Sequence, residues 1–128
     1  MNLLLDSHLL IWALSEPTRL SKTARTLIND SGNRLYFSAA SLWELSIKAA
    51  LGPRSLPLDI RSFHKTLLEN DYNELAVLSG HAMEVATLPR LHGDPFDRLL
   101  IAQARVEGMT LLTVDRELGK YPASVRVV

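Results

Sequence analysis

The chain has 128 residues, 47% of them hydrophobic and 22% charged, which is the length and composition of about one globular domain and excludes whole-chain disorder. Fourteen Lys+Arg against fourteen Asp+Glu give zero formal charge, which excludes a general polycation coating nucleic acid, and the lack of cysteine excludes disulfide scaffolds, Cys-ligated zinc, iron–sulfur clusters and thiol catalysis. The apolar start lacks a basic leader and is broken by Asp6 and His8, and no run approaches the roughly 20 apolar residues of a membrane span, so a soluble cytoplasmic protein folded as a single domain over 1–128 is expected.

Leu3-Leu4-Leu5 has the continuous apolar character of a buried strand. A helix from His8 to Leu14 follows and ends near Pro17. Ser21 is placed to N-cap a helix through Ile28, closed by Gly32. Leu35-Tyr36-Phe37 is the second strand, and a helix from Ser41 to Ala50 has Gly52 and Pro53 as its stop signal. Leu58 to Glu69 is an amphipathic helix, Leu75 to Leu78 a third strand, and His81 to Leu88 a helix ended by Pro89. After a loop at Arg90 to Gly93, Asp94-Pro95 opens a helix that runs to Glu107 and stops at Gly108. Thr110 to Val114 is the fourth strand and Val125 to Val128 a fifth. Strands alternating with helices predict an α/β domain with a mostly parallel sheet covered on both faces. Ligands of such sheets bind beyond the carboxyl ends of the strands.

Four acids stand in suggestive places, and each has an ordinary explanation when taken alone. Asp6 directly follows the first strand and Asp115 the fourth, where Asp commonly serves turns and helix caps. Glu44 lies among the apolar Leu42, Trp43, Leu45 and Ile47, with Lys48 four residues on as a ready ion-pair partner. Asp97 falls three residues after the cap Asp94, where the helix dipole alone would favour it. Together they come from four separate elements. If they converge, the result is an all-oxygen site suited to Mg²⁺ or Mn²⁺, and attack of metal-activated water on a phosphodiester is the reaction such sites commonly run.

Other chemistry is thin. There is no Gly-rich phosphate loop and no G-x-S-x-G elbow. The four histidines show no metal-ligand spacing; His64 and His81 suit surface or boundary positions, while His8 and His92 flank the acids. Trp12, Trp43 and Phe96 are expected in the core.

The segments Leu5-Asp6-Ser7-His8, Ser38-Ala39-Ala40-Ser41-Leu42-Trp43-Glu44, Leu88 to Ala104 and Leu112-Thr113-Val114-Asp115 resemble those of PIN-domain nucleases. The chain is most similar to the VapC-like ribonuclease toxins of toxin–antitoxin pairs, along nearly its whole length. The resemblance implies a three-layer α/β/α sandwich and a Mg²⁺- or Mn²⁺-dependent endoribonuclease. It implies a catalytic and metal-binding quartet of Asp6, Glu44, Asp97 and Asp115, with Asp94 as a further acid, and Ser7 and Thr113 as supporting hydroxyls. It also implies a cognate antitoxin and a homodimer. Ser7 replaces a more usual Thr, and Gly93 stands where a basic residue is frequent. Five of the 14 acids belong to this set, and the remaining nine face 14 basic residues, so a metal-filled site would leave a chain attractive to RNA. Arg98 and Arg116 are candidate RNA contacts, with Arg90 and Lys48 also near in sequence. The rivals are a catalytically silent PIN-like binding module, a receiver-type phosphoacceptor domain, which would need paired acids after the first strand, and a dinucleotide-binding domain, which would need the missing glycines.

Overall fold

A computed structural model describes residues 1–51 and 58–128. Its strands are β1 (Asn2–Leu5), β2 (Arg34–Ser38), β3 (Asn73–Leu75), β4 (Thr110–Thr113) and β5 (Val125–Val127). Its helices are α1 (Ser7–Ser15), α2 (Lys22–Asn29), α3 (Ala39–Ala50), α4 (Ile60–Glu69), α5 (Ser79–Val85) and α6 (Pro95–Glu107), with short 3-10 turns at Pro17–Arg19 and Arg116–Lys120. The strands form one sheet in the order β3-β2-β1-β4-β5, and every neighbouring pair is parallel.

Side chains alternate across a strand, so a fully apolar strand must be covered twice. Leu3 and Leu5 enter one core with Leu9, Leu10, Leu45, Phe63, Leu67 and Leu112, drawn largely from α1, α3 and α4. Leu4 enters the other core with Leu100, Ile101, Leu111 and Leu118, from α6 and the last 3-10 turn. The architecture is thus an α/β/α sandwich. From β1 the chain winds outward through β2 and β3, then returns to β1's other side for β4 and β5. The carboxyl ends of β1 and β4 therefore flank the topological switch point, where α/β sheets bind their ligands.

Helix ends follow local chemistry closely. Ser21 Oγ accepts from the Ala24 amide, and Asp94 Oδ1 accepts from the amides of Phe96 and Asp97. Gly108 ends α6 at φ 66°, a left-handed conformation that a side chain would strain. Among the described residues no helix is long and apolar enough to cross a membrane.

Several expectations change, among them the helix expected from His81 to Leu88, which is Ser79–Val85, and the one expected from Leu58, which starts at Ile60. The third strand is Asn73–Leu75 rather than Leu75 to Leu78. Its register pairs Tyr36 with Asn73 and Ser38 with Leu75, and β2 ends at Ser38, so Ala76 and beyond have no strand to join. Val77 and Leu78 are exposed instead. The third helix starts at Ala39, because Ser38 Oγ takes the Ala40 amide as its cap; the predicted stop at Gly52 and Pro53 lies outside the described residues. Trp43 is 62% exposed and is not core. The buried face of α3 runs through Ala40, Ser41, Glu44 and Leu45, which turns Trp43 outward, edge-on to Phe96. His81 is fully buried rather than at a boundary: its Nδ1 accepts from the Leu78 amide (3.0 Å) and its Nε2 meets Glu107 Oε1 (2.9 Å). That imidazole ties the start of α5 to the end of α6.

Candidate active site

Asp6 is where β1 turns into α1, and its carboxylate serves both elements and β4. Oδ1 accepts from the Leu9 amide at 2.9 Å, capping α1. Oδ2 accepts from Thr113 Oγ1 at 2.6 Å and from the Val114 amide at 3.3 Å. A carboxylate offers about four acceptor positions, so roughly one remains for a ligand. Burial pushes the Asp6 pKa up, and the bonds from Thr113 and Leu9 oppose that rise. The Thr113 hydroxyl also acts in the other direction, and its oxygen accepts from the Asp115 amide at 3.1 Å. Asp115 then caps the following 3-10 turn through Glu117.

Two further acids arrive from α3 and α6. Glu44 is buried, and its Oε1 accepts from Ser7 Oγ at 2.6 Å. Its Oε2 pairs with Lys48 Nζ at 3.1 Å, so the ion pair expected from spacing forms as well. Asp97 sits in the first turn of α6 beside its cap Asp94. Burial pushes the Asp97 carboxyl up to about 6, with repulsion from Asp94 next, contributions from Glu44 and Asp6, and His92 opposing. A cavity of about 120 Å³ joins all five acids, Asp6, Glu44, Asp94, Asp97 and Asp115, with Ser7, His8 and Lys48 on its wall.

The set is not purely oxygen. His92 Nε2 lies 3.0 Å from Asp97 Oδ2 and 3.6 Å from Asp115 Oδ2. Each of His92, Asp94 and Asp97 offers one ligand atom, all within 4.8 Å of one another, a spacing suited to a metal ion. Sequence spacing does not single out His92, because it reaches the acids from a loop rather than from a periodic element. The two candidate RNA contacts differ. Arg98 donates to the carbonyls of Pro89 (2.8 Å) and Val85 (3.2 Å) and to Tyr121 Oη (3.1 Å), bracing the loop after α5. Arg116 is exposed, next to Asp115.

The shared role of Thr113 gives a direct expectation. Thr113→Val keeps the shape, removes the donor to Asp6 and leaves the Asp115 amide unbonded. It should destabilise the fold by about 1–3 kcal/mol, read as a lower urea midpoint at unchanged slope. An unchanged midpoint would show that the hydroxyl does not support these acids.

The family model for the PIN domain matches residues 3–123. Ribonuclease VapC22 of Mycobacterium tuberculosis is 35% identical over 126 residues, covering 97% of this chain and 96% of the relative. VapBC2 from Rickettsia felis, solved bound to a DNA fragment from its promoter, superimposes with a TM-score of 0.74 at 16% identity, covering 99% of this chain and 98% of that one. DNA-bound VapBC from Salmonella typhimurium gives a TM-score of 0.67 at 15% identity, covering 100% and 97%. At those identities the two structures speak to the fold alone, whereas the family match and the sequence relative each span nearly the whole chain. On these grounds the chain belongs to the PIN-domain family, among the VapC-type ribonuclease toxins.

Proposed function

We propose that the protein is a Mg²⁺- or Mn²⁺-dependent endoribonuclease acting as the toxin of a toxin–antitoxin pair. The observation that carries this is the convergence of five acids from four elements on one cavity at the sheet's switch point. A structural cluster would be balanced by cations, but here Lys48 is the one lysine or arginine on the cavity wall among the described residues. A set rich in carboxylate oxygen fits a hard divalent cation. Asp6, Glu44, Asp97 and Asp115 would hold it, together with Asp94 and His92, whose ligand atoms already lie at metal spacing with that of Asp97. When bound, such a cation supplies an activated water and offsets the charge gathering on the phosphate.

The chain's own residues do the positioning. Thr113 and Ser7 hold the Asp6 and Glu44 carboxylates in fixed orientations. Lys48 restrains the outer oxygen of Glu44. Arg116, exposed beside Asp115, is available to a backbone phosphate.

The same reading supplies partners. VapC-type relatives occur in solved structures as VapBC assemblies. A cognate antitoxin would cover the acidic groove and set an Arg or Lys among the acids. The outer side of α3 and its C-cap expose Trp43, Ile47 and Leu51 at four-residue steps, an apolar strip that suits an amphipathic segment of such a partner. A homodimer belongs to the same proposal.

Purified protein should cleave RNA with Mg²⁺ or Mn²⁺ and lose all cleavage in excess EDTA. Its expression alone should slow growth, and coexpression of the antitoxin should restore it. Cleavage that survives EDTA would overturn the metal mechanism. No cleavage across a broad RNA panel, with metal present, would favour the catalytically silent binding module.

A further inference from the structure

The acid cavity is too small for the substrate it serves. At about 120 Å³ it has room for an ion with a few waters or a phosphate, whereas pockets for ligands of nucleotide size run to about 300–1,000 Å³. The RNA strand must therefore continue across the neighbouring surface. Two grooves adjoin it: one of about 330 Å³ beyond Ser7, His8 and Lys48, whose Arg19 is paired with Glu16, and a larger one of about 620 Å³ formed by the end of α5 and the loop to α6, whose Arg90 has no such partner among the described residues. His92 stands between the acid cavity and the larger groove: it lines that groove, while its Nε2 contacts Asp97 and Asp115.

We propose that this groove is the track for the RNA strand on one side of the scissile phosphate, with Arg90 binding a backbone phosphate; the proposal rests on the ribonuclease reading above. Two arginines line the groove, and their situations differ. Arg98 commits three of its five N–H donors to the carbonyls of Val85 and Pro89 and to Tyr121, so it is held in place and stiffens the groove wall. Arg90 is exposed and, among the described residues, makes no ion pair and no side-chain hydrogen bond. Glu84, the acid of α5 nearest the groove in sequence, is paired with Arg105 at 3.1 Å and does not neutralise Arg90. Val85, Leu88 and Leu91 give the groove an apolar side against which a nucleobase can lie.

Gly93 adds an independent handle. A Cβ at Gly93 would meet nothing within 4 Å, so a long side chain there has room at the groove wall. Gly93→Arg should therefore create a second phosphate contact without disturbing the fold.

The test is fluorescence anisotropy of a labelled random-sequence 12-nucleotide single-stranded RNA pool, titrated in EDTA to stop cleavage, across a salt series. Arg90→Ala should weaken binding about tenfold and reduce the salt slope by about 0.7, the value for one lost phosphate contact on a single strand. Gly93→Arg should tighten binding by a similar factor. Arg34→Ala, at the opposite, amino-terminal edge of the sheet, should change neither quantity. In cleavage assays with Mg²⁺, Arg90→Ala should raise KM and leave kcat nearly unchanged, the mark of a contact made equally before and during reaction. Wild-type binding with no change in Arg90→Ala, or equal losses in Arg90→Ala and Arg34→Ala, would overturn the groove assignment alone. Wild type that neither binds nor cleaves RNA would overturn the ribonuclease reading and this inference together.

Discussion

Asp6→Asn should fold normally and cleave RNA at least about 10³-fold more slowly. The Asn side chain has the same size, and its carbonyl can keep the bond from the Leu9 amide that caps α1. Its amide group would face Thr113 and the Val114 amide; the threonine hydroxyl can rotate to accept, so the Val114 bond, the long one at 3.3 Å, is the loss. Relief of a buried charge offsets that loss, since burial already pushes the Asp6 pKa up. Activity has no such offset. Removing one well-placed electrostatic partner from an active site commonly costs a factor of about 10²–10³, and a central ligand to a catalytic cation stands at or beyond the upper end. Single-turnover cleavage with excess enzyme, beside a thermal melt of the same sample, separates chemistry from folding. A folded Asp6→Asn protein with near-normal turnover would remove Asp6 from the site.

Asp97→Asn should melt above wild type in EDTA at pH 7, and Mg²⁺ should narrow that gap. Without metal, burial and the neighbouring Asp94 hold the Asp97 carboxyl at about 6, above its ordinary 3.8. The folded protein then binds more protons than the unfolded chain between those values. Stability from this group is complete below about pH 4 and is lost as pH rises through about 6. Asn carries no charge to lose, so in EDTA the variant should gain on wild type as pH goes from 4 to 7 and melt a few degrees higher at pH 7. With Mg²⁺ at about 100 times its dissociation constant, wild type should gain about 2.7 kcal/mol by mass action, and the variant distinctly less. The alternative is equally definite. If Asp97 only complements the α6 dipole, Asn should lower the melting temperature in EDTA and leave the Mg²⁺ response intact.

Local chemistry makes part of this molecule legible in its amino-acid order. The span of α6 follows from Asp94, Pro95 and Gly108, because a cap, a fixed φ and a left-handed residue act on their immediate neighbours. The convergence of Asp6 and Asp115 also follows, since parallel strands deliver their carboxyl ends to one edge of the sheet. What tertiary contacts decide stays hidden there. The end of β3 is set by where β2 stops, not by the apolar run Leu75 to Leu78. Trp43 looks like core by composition, but the face of α3 is chosen by the packing of Leu45 and the burial of Glu44. Arg98 has the charge of an RNA contact, yet its bonds go to carbonyls that only the folded loop brings near. His92 lacks any periodic spacing to the acids and reaches them through the same loop.

The bond from Thr113 to Asp6 crosses 107 positions of the chain. Synthesis runs from the amino end at about 5–20 residues per second, so Asp6 exists for several seconds before its partner has been made. During that interval β1 lacks its neighbour β4, Asp6 lacks its hydroxyl donor, and neither Asp97 nor Asp115 has been placed. A nascent chain that has not reached Thr113 thus lacks the assembled acid cavity, whatever its local order. On the ribonuclease reading, cleavage needs β4 as well as β1, so an inhibitor present while the chain is being made can meet it before the site is complete.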